Sequence, residues 1–390
     1  MRILFLSRWY PYPPSNGAKL RIYTLLRSLA ERHEIGLISF TEAEEGAPDT
    51  AALEPYCQDI RTVRRKKFTP SSLSAQLGFL SMTPRSVVDT FSSEMKNCID
   101  QALSAGGYEL VIASQFDMAV YAPYFGGLPA LFEEAEVGVL YEQPAQARSV
   151  WQRLRYSLTW VKHRNYLARL LRYFRACTVV SERERQLLLR AAPHYKAIEV
   201  IPNCINLDDY RDVCEAAQPN SLIFSGSFRY FANYDAMQWF LGKVYAKIQS
   251  EVPDAHLTIT GDHAGLPLPT SENVTLSGFL PDVRSRVASS WTSLAPIRLG
   301  GGTRLKILEA MTLGTPVVAT SKGAEGLEVE PGEHLLIADT PETFARATVH
   351  LLTNPELRQR LAENACHLIQ NRYSCSVVMP RFLNLVEQVR

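Results

Sequence analysis

Residues 299–319 read LGGGTRLKILEAMTLGTPVVA, and the interpretation of the whole chain begins with this stretch. Three glycines follow an apolar run and precede a helical pattern that ends before Gly314 and Pro316. Glycine lets the backbone turn sharply and brings its N–H groups close to a ligand. Thr303 is a good N-cap, and an exposed helix N-terminus attracts anions. The stretch therefore predicts an anion-binding site at a strand–loop–helix junction.

The charged residues of this stretch strengthen that interpretation. Arg304 and Lys306 place two positive charges in the first helical turn, where the helix dipole favours acids. Because this arrangement is locally unfavourable, we expect a negatively charged ligand to offset it. The alternative is a flexible glycine loop followed by a solvated basic helix start.

The motif G-G-G-T-R-L-K-I-L-E-A-M-x-x-G-x-P-V-V resembles the donor site of the family-4 (group 1) nucleotide-sugar glycosyltransferases, which have the GT-B fold. The resemblance implies that the loop and helix start hold a donor diphosphate and that Glu309 holds the ribose hydroxyls. The family usually has an earlier glutamate, and Gly301 stands at its position here, as in a subset of the family. The implied donor-binding residues are Gly226, Ser227, Arg229, Phe279, Leu280, Gly301, Gly302, Thr303, Arg304, Leu305, Lys306 and Glu309.

Length and composition indicate two ordinary globular domains. The chain has 390 residues, 46% of them apolar, and a formal net charge of +1, which argues against a globally basic polyanion binder. Seven dispersed cysteines favour reduced thiols in a cytosolic protein. The amino terminus lacks a signal-peptide core, and no apolar run is long enough for a spanning helix.

Strands and helices alternate in both halves, which predicts α/β domains with parallel sheets. With the resemblance, the expected fold is GT-B: two doubly wound Rossmann-like domains facing across a cleft. We expect an acceptor-binding domain at 1–205 and a donor-binding domain at 206–373. A carboxy-terminal helix at 374–390 would pack back on the first domain.

The first half offers acceptor-side candidates. Asn16 and Gly17 stand where the family has a glycine pair. Many family members have a histidine near the end of the strand ELVIAS, where this chain has Gln115 and Asp117. An acidic cluster, 133–136, follows another strand and could take a proton from an acceptor hydroxyl, or could be an acidic surface loop.

The predicted reaction uses fixed cations. Arg229 and Lys306, with Asp117 on the acceptor side, are the candidate catalytic residues, since cations near a leaving diphosphate lower the barrier. The family's lysine a few residues after Arg229 is absent, so Lys306 would supply more of the charge. No Asp-x-Asp motif and no His/Cys ligand cluster appears, so we expect neither a metal nor a cofactor.

The resemblance implies a retaining hexosyltransferase that uses a UDP- or GDP-linked sugar. Its acceptor would be a saccharide, a lipid-linked molecule or a small molecule in cell-surface polysaccharide or glycoconjugate biosynthesis. The alternative is a non-catalytic nucleotide-sugar-binding subunit of the same fold. A Rossmann-type dehydrogenase does not fit, because the first loop has two prolines and one glycine in place of G-x-G-x-x-G.

Residues 148–175 form a basic, aromatic segment without any acid. Such a helix suits contact with an anionic membrane surface. The competing interpretation is an ordinary helix with its apolar face in the core and its arginines in water. We therefore expect a cytoplasmic protein, peripheral on the inner face of the membrane if the first interpretation holds, and no nucleic-acid partner.

Overall fold

The computed structural model describes residues 1–42, 46, 48–147, 149–301 and 304–390. The chain divides into two compact units. The first comprises Met1–Pro202 with Met379–Arg390, and the second comprises Asn203–Val378. The domain boundaries predicted from the sequence, after residues 205 and 373, compare with divisions after Pro202 and Val378.

A parallel sheet forms the centre of the first unit. Its described strands are β1 (Arg2–Ser7), β2 (Glu34–Thr41), β3 (Asp59–Arg64), β4 (Leu110–Ser114), β5 (Ala130–Glu133), β6 (Ala176–Val179) and β7 (Ile198–Val200). They lie in the order β3-β2-β1-β4-β5-β6-β7. In β1, Ile3 to Leu6 have no exposed surface, as expected for a parallel strand covered on both faces.

A second parallel sheet forms the centre of the other unit. Its described strands are β8 (Gln218–Ser225), β9 (His256–Thr260), β10 (Val274–Gly278), β11 (Ser290–Ala295), β12 (Val317–Ala319) and β13 (Leu336–Ile337). Their order is β10-β9-β8-β11-β12-β13. Chain order therefore runs outward in both directions from the pair β8 and β11, which makes this pair the topological switch point of the sheet.

Helices connect the parallel strands, as crossover geometry requires. In the first unit they are α1 (Gly17–Ala30), α2 (Leu73–Leu77), α3 (Arg85–Thr90), α4 (Ser93–Ser104), α5 (Phe116–Ala119), α6 (Gly138–Glu142), α7 (Val150–Leu170) and α8 (Glu182–Ala191). They continue as α9 (Phe231–Lys243), α10 (Tyr245–Glu251), α11 (Arg284–Ala288), α12 (Leu305–Thr312), α13 (Pro341–Thr353), α14 (Pro355–Leu368) and α15 (Cys375–Val389). The prediction of two doubly wound α/β domains with parallel sheets is confirmed. None of the described helices is long and apolar enough to cross a membrane.

The end of α15 belongs to the first unit. Arg381 donates to the carbonyl of Val200 at 2.9 Å, and Arg175 donates to the carbonyl of Val389 at 3.0 Å. The apolar residues Phe382 and Val386 are fully buried. The last turns of α15 therefore lie against the first unit, beside β7.

The expectation that all seven cysteines are reduced is wrong for one pair. Cys204 and Cys375 form a disulfide, while the other five are free thiols. The two lie 171 residues apart, at the start and near the end of the second unit. Ile205 and Ser374 form a parallel bridge beside them, which brings the two segments together. Sequence spacing cannot show a contact between residues so far apart.

Candidate functional site

The loops that follow β8 and β11 come together at the switch point of the second sheet. Gly226 follows β8 and Lys306 lies in the first turn of α12, after β11. A Cβ atom on Gly226 would lie 2.8 Å from Lys306 Nζ, and one on Gly300 would lie 2.0 Å from Tyr230 Oη. At Gly300 the positive φ of 84° favours glycine, and at Gly226 a Cβ atom would crowd the ends of the Lys306 and Asn233 side chains. Open parallel sheets bind ligands at this place.

Lys306 is a half-buried cation held by neutral groups. Its Nζ donates to Asn233 Oδ1 at 3.0 Å and lies 4.1 Å from the centre of the Phe224 ring. Within the described part of the chain, no carboxylate forms an ion pair with it. Burial, with the nearby Arg304 charge, lowers the pKa of Lys306 to about 7, against the opposing effect of Glu309. An anionic ligand would stabilise the charged form of this ammonium and raise its pKa again.

Asn233 also organises the site, and it lies a few residues after Arg229, where the family's lysine is absent. It lies in the first turn of α9 and is 7% exposed. Its Nδ2 donates to the carbonyl of Ser227 at 2.8 Å, so that one amide connects the β8 loop to Lys306. The positive end of the α9 dipole faces the same loop. A polar residue in the first helical turn after a strand end is the signal that would have indicated it.

Arg304 supports the glycine loop. Its guanidinium donates to the carbonyls of Gly301 at 2.7 Å and Gly300 at 3.0 Å, and the residue is 8% exposed. Its Nε is buried and has no partner among the described residues, which leaves one donor for a ligand. Arg304 itself occupies the N-cap position of α12, without a side-chain cap. Thr303, the predicted N-cap, and Gly302 lie outside the described residues.

Glu309 is held by Tyr210, which is not among the site residues predicted from the sequence. Tyr210 Oη donates to Glu309 Oε1 at 3.0 Å, from a short 3-10 segment, Leu207–Tyr210. Burial raises the pKa of Glu309, and the Tyr210 hydrogen bond and the Lys306 charge oppose this. Leu305, which starts the helix, is half-buried. The carboxylate is therefore oriented before any ligand binds.

Arg229 lies at the outer side of the same loop. Its guanidinium is exposed and forms an ion pair with Asp262. Ser227 Oγ accepts from the backbone N–H of Arg229 at 3.2 Å, which shapes the turn. A phosphate would compete with Asp262 for this guanidinium. Its predicted catalytic role stays a prediction.

The predicted nucleobase residues lie at the edge of the sheet. Phe279 and Leu280 follow β10, two strands from β8. Phe279 is 65% exposed, which is unusual for a phenylalanine and fits a surface that stacks on a ring. Gly261, which follows β9, lies against the backbone of Gly226 in the β8 loop. A Cβ atom on Gly261 would lie 2.6 Å from the carbonyl carbon of Gly226, so the close approach needs glycine.

In the first unit, the acceptor-side candidates lie at the carboxyl ends of the strands. Asn16 caps α1 by accepting from the backbone of Lys19 at 3.0 Å, and Gly17 begins that helix. Asp117 forms ion pairs with Arg8 at 2.8 Å and with Arg65 at 3.1 Å. Two guanidinium groups therefore share one oxygen of Asp117, and its predicted catalytic role stays a prediction.

Glu134 is the carboxyl group in this unit that is best suited to exchange a proton near neutrality. Glu134 directly follows β5, and Gln115 directly follows the neighbouring strand β4. Their φ angles, 57° and 67°, are positive, which is uncommon for residues other than glycine. Gln115 Nε2 donates to Glu134 Oε2 at 2.8 Å. Burial, followed by the charge of Glu133, raises the pKa of Glu134 to about 7. Glu133 is instead fully buried and paired with Arg21 at 2.6 Å.

The second unit is similar to the group 1 glycosyltransferases. Residues 219–354 match the family model described as Glycosyl transferases group 1, and this range contains the β8 loop, Lys306 and Glu309. The chain is 31% identical, over 126 residues, to the alpha-D-kanosaminyltransferase of Streptomyces kanamyceticus, covering 30% of this chain and 31% of that one. Over 97% of both chains it is 22% identical to an uncharacterized 44.6 kDa protein of the cps region of Klebsiella pneumoniae.

Solved structures show the same fold. HepE of Anabaena, in complex with UDP and glucose, superposes over the full length of both chains with a TM-score of 0.67 and 15% identity. WaaG, a glycosyltransferase involved in lipopolysaccharide biosynthesis, gives a TM-score of 0.63 at 15% identity, covering 98% of this chain and 99% of that one. The predicted GT-B fold is confirmed, and the family-model match lies within the second unit.

Proposed function

We propose that the protein is a retaining hexosyltransferase of the family-4 type that uses a UDP- or GDP-linked sugar. The observation that carries the proposal is the half-buried Lys306 ammonium, held by neutral groups at the switch point of the second sheet. A donor diphosphate supplies the missing negative charge. HepE, which shares the fold, is described in complex with UDP and with UDP-glucose, which supports this choice of ligand.

In this mechanism the bond between the sugar's anomeric carbon and the diphosphate oxygen breaks, and its electrons go to the diphosphate. The acceptor oxygen bonds to the same carbon, and its proton goes to the leaving phosphate. Lys306, the loop amides and Arg229 stabilise the growing charge, so that no metal or cofactor is needed. Glu309, already oriented by Tyr210, accepts hydrogen bonds from the ribose. Phe279 and Leu280 contact the base.

The proposed acceptor is a saccharide, a lipid-linked molecule or a small molecule in cell-surface polysaccharide or glycoconjugate biosynthesis. The relative from the Klebsiella cps region and the lipopolysaccharide enzyme WaaG support this setting. The proposed location is the cytoplasm, at the inner face of the membrane. Two observations favour a non-catalytic nucleotide-sugar-binding subunit instead. Arg229 is paired with Asp262, and Gly301 stands at the position of the family's first glutamate.

A thermal-shift panel of UDP, GDP, ADP and TDP sugars tests the donor. A ligand at 100 times its dissociation constant adds about 2.7 kcal/mol to the free energy of unfolding. Labelled UDP- and GDP-sugars with lipid and saccharide acceptors then test turnover. Transfer or hydrolysis supports the enzyme, whereas binding without turnover on any acceptor favours the non-catalytic alternative. No stabilisation by any nucleotide would contradict both.

A further inference from the structure

The outward face of α7 is apolar and exposed. Trp151 is 81% exposed and Leu154 and Leu158 are more than half exposed, with Val150 and Val161 beside them. Positions 151, 154, 158 and 161 follow helical spacing, so these side chains form one stripe. The opposite face is also apolar, with Leu167 and Leu170 in the core. The helix therefore has a second apolar face that nothing in the described chain covers.

A second exposed apolar segment lies in the connection between β3 and α3. Leu80 is 89% exposed, and four more apolar side chains in this segment are each more than half exposed. They are Leu73, Leu77, Phe79 and Met82. Five exposed large apolar residues within ten positions are far more than the scattered examples found on ordinary surfaces.

These two surfaces meet. Lys162 on α7 donates from Nζ to the carbonyl of Phe79 at 2.7 Å, and Arg169 donates to the carbonyl of Met82 at 3.4 Å. Val161, in the apolar stripe, is adjacent to Lys162 in the chain. Residues 68–82 and the outward face of α7 therefore form one continuous surface, called the docking face below.

The docking face has a fixed structure. Asp89 is 2% exposed and accepts hydrogen bonds from Lys66 at 2.8 Å, from the backbone of Thr69 at 2.9 Å, and from Ser72 and Ser74. Arg85 donates to the carbonyl of Pro70 at 2.6 Å, and its guanidinium lies 4.2 Å from the ring centre of Phe79. The exposed apolar groups are therefore held in place by contacts made behind them.

Charge separates the docking face from the rest of the chain. Residues 60–88 and 143–181 contain no Asp or Glu and contain 14 of the 41 Lys and Arg residues. The remaining chain carries 27 Lys and Arg against 40 Asp and Glu. A nearly neutral chain thus carries an excess of basic residues in the two segments that contain the docking face. Arg153 and Arg155, on α7, are exposed.

We propose that the docking face binds the surface of a membrane that contains anionic phospholipid, with Leu80 and Trp151 entering the headgroup region. Apolar groups surrounded by arginine and lysine fit the boundary between acyl chains and anionic headgroups. A second copy of the chain fits poorly, because symmetric pairing would place basic rims against each other. Vesicle binding needs neither donor nor acceptor, so its failure would leave the proposed transferase activity untouched.

The test is sedimentation of the full chain with phosphatidylcholine vesicles, with and without phosphatidylglycerol. The wild type should sediment with the anionic vesicles at low salt, and less as salt rises. Leu80→Ser with Trp151→Ser should weaken binding about tenfold or more, because both apolar groups lose their burial. Arg153→Gln with Arg155→Gln should weaken it about fivefold per charge removed.

Matched substitutions in the second unit serve as controls. Leu276→Ser replaces an exposed leucine, and Arg346→Gln with Arg360→Gln removes two exposed arginines. Both should bind vesicles like the wild type, and melting curves should show that every variant is folded. Three outcomes would overturn the proposal: no sedimentation with anionic vesicles, equal binding to neutral vesicles, or unchanged binding by folded docking-face variants. Self-association that these variants abolish, without vesicle binding, would assign the face to a second copy.

Discussion

Lys306 Nζ lies 3.0 Å from Asn233 Oδ1, so the ammonium in the candidate donor site is bonded to a neutral amide. An amide oxygen orients the cation without neutralising it. The same amide holds the carbonyl of Ser227 in the β8 loop. The geometry therefore keeps a positive group in place for a ligand.

Nucleotide binding should depend on pH around neutrality. Burial lowers the pKa of Lys306 to about 7, and a bound diphosphate raises it again by stabilising the ammonium. Binding above pH 7 then takes up a proton, so affinity for UDP or GDP should fall as pH rises through 7 and 8. Calorimetry in buffers of different ionisation enthalpy measures that proton. Affinity that is flat across this range would argue against Lys306 as the diphosphate ligand.

Tyr210→Phe should destabilise the second unit, although it removes no charge. The substitution leaves the half-buried Glu309 carboxylate without its hydroxyl donor. The free energy of unfolding of the second unit should fall by about 1–3 kcal/mol, as for other buried groups that lose a partner. Denaturant unfolding measures this, with Tyr234→Phe as the control, since that hydroxyl contacts the carbonyl of Pro267 at the surface. Equal loss in both variants would show that Tyr210 has no special role.

Glu134→Gln should change how stability depends on pH. The pKa of Glu134 is raised to about 7 in the folded chain, from an ordinary value near 4.5. Between these values the folded state binds more protons than the unfolded state. The contribution of Glu134 to the free energy of unfolding therefore falls as pH rises from about 4.5 to 7. The variant should lose that dependence, whereas Glu136→Gln, at an exposed neighbour, should keep it. Melting temperatures across this range are the measurement, and identical profiles for wild type and Glu134→Gln would refute the assignment.

The disulfide predicts a thiol count. Protein denatured without reductant should react with a thiol reagent at five cysteines, and at all seven after reduction. In the chain-entropy model, a bridge across 171 residues stabilises by up to about 5 kcal/mol, so reductant should lower the melting temperature. Cys204→Ser with Cys375→Ser should melt like the reduced wild type. Seven reactive thiols before reduction would mean that the bridge does not form.

The strands and the location of the site could be predicted because both depend on local pattern. The apolar run before the three glycines indicated β11 and the run ELVIAS indicated β4, and parallel sheets place the ends of such strands at one edge. Lys306 and Glu309 could be selected because their helix directly follows the glycine loop.

The remaining features depend on contacts between residues distant in sequence. Tyr210 contacts Glu309 across 99 positions, and nothing in the sequence around Tyr210 indicates that contact. The disulfide between Cys204 and Cys375 joins residues 171 positions apart, so the sequence pattern could not predict it either. The direction of a side chain is likewise not encoded in spacing, so the folding of Arg304 back onto its loop carbonyls could not be foreseen.

The most direct test of the account is nucleotide binding by Lys306→Met, compared with Lys243→Met at an exposed lysine of α9 in the same unit. Lys306 is a half-buried cation without an ion-pair partner among the described residues, so an apolar side chain in its place should leave the melting temperature of the free protein unchanged or higher. The wild type and Lys243→Met should be stabilised by the same nucleotide sugars. Lys306→Met should lose that stabilisation and about 10²–10³-fold of any turnover. Wild-type nucleotide binding and turnover by a folded Lys306→Met variant would contradict the placement of the donor site.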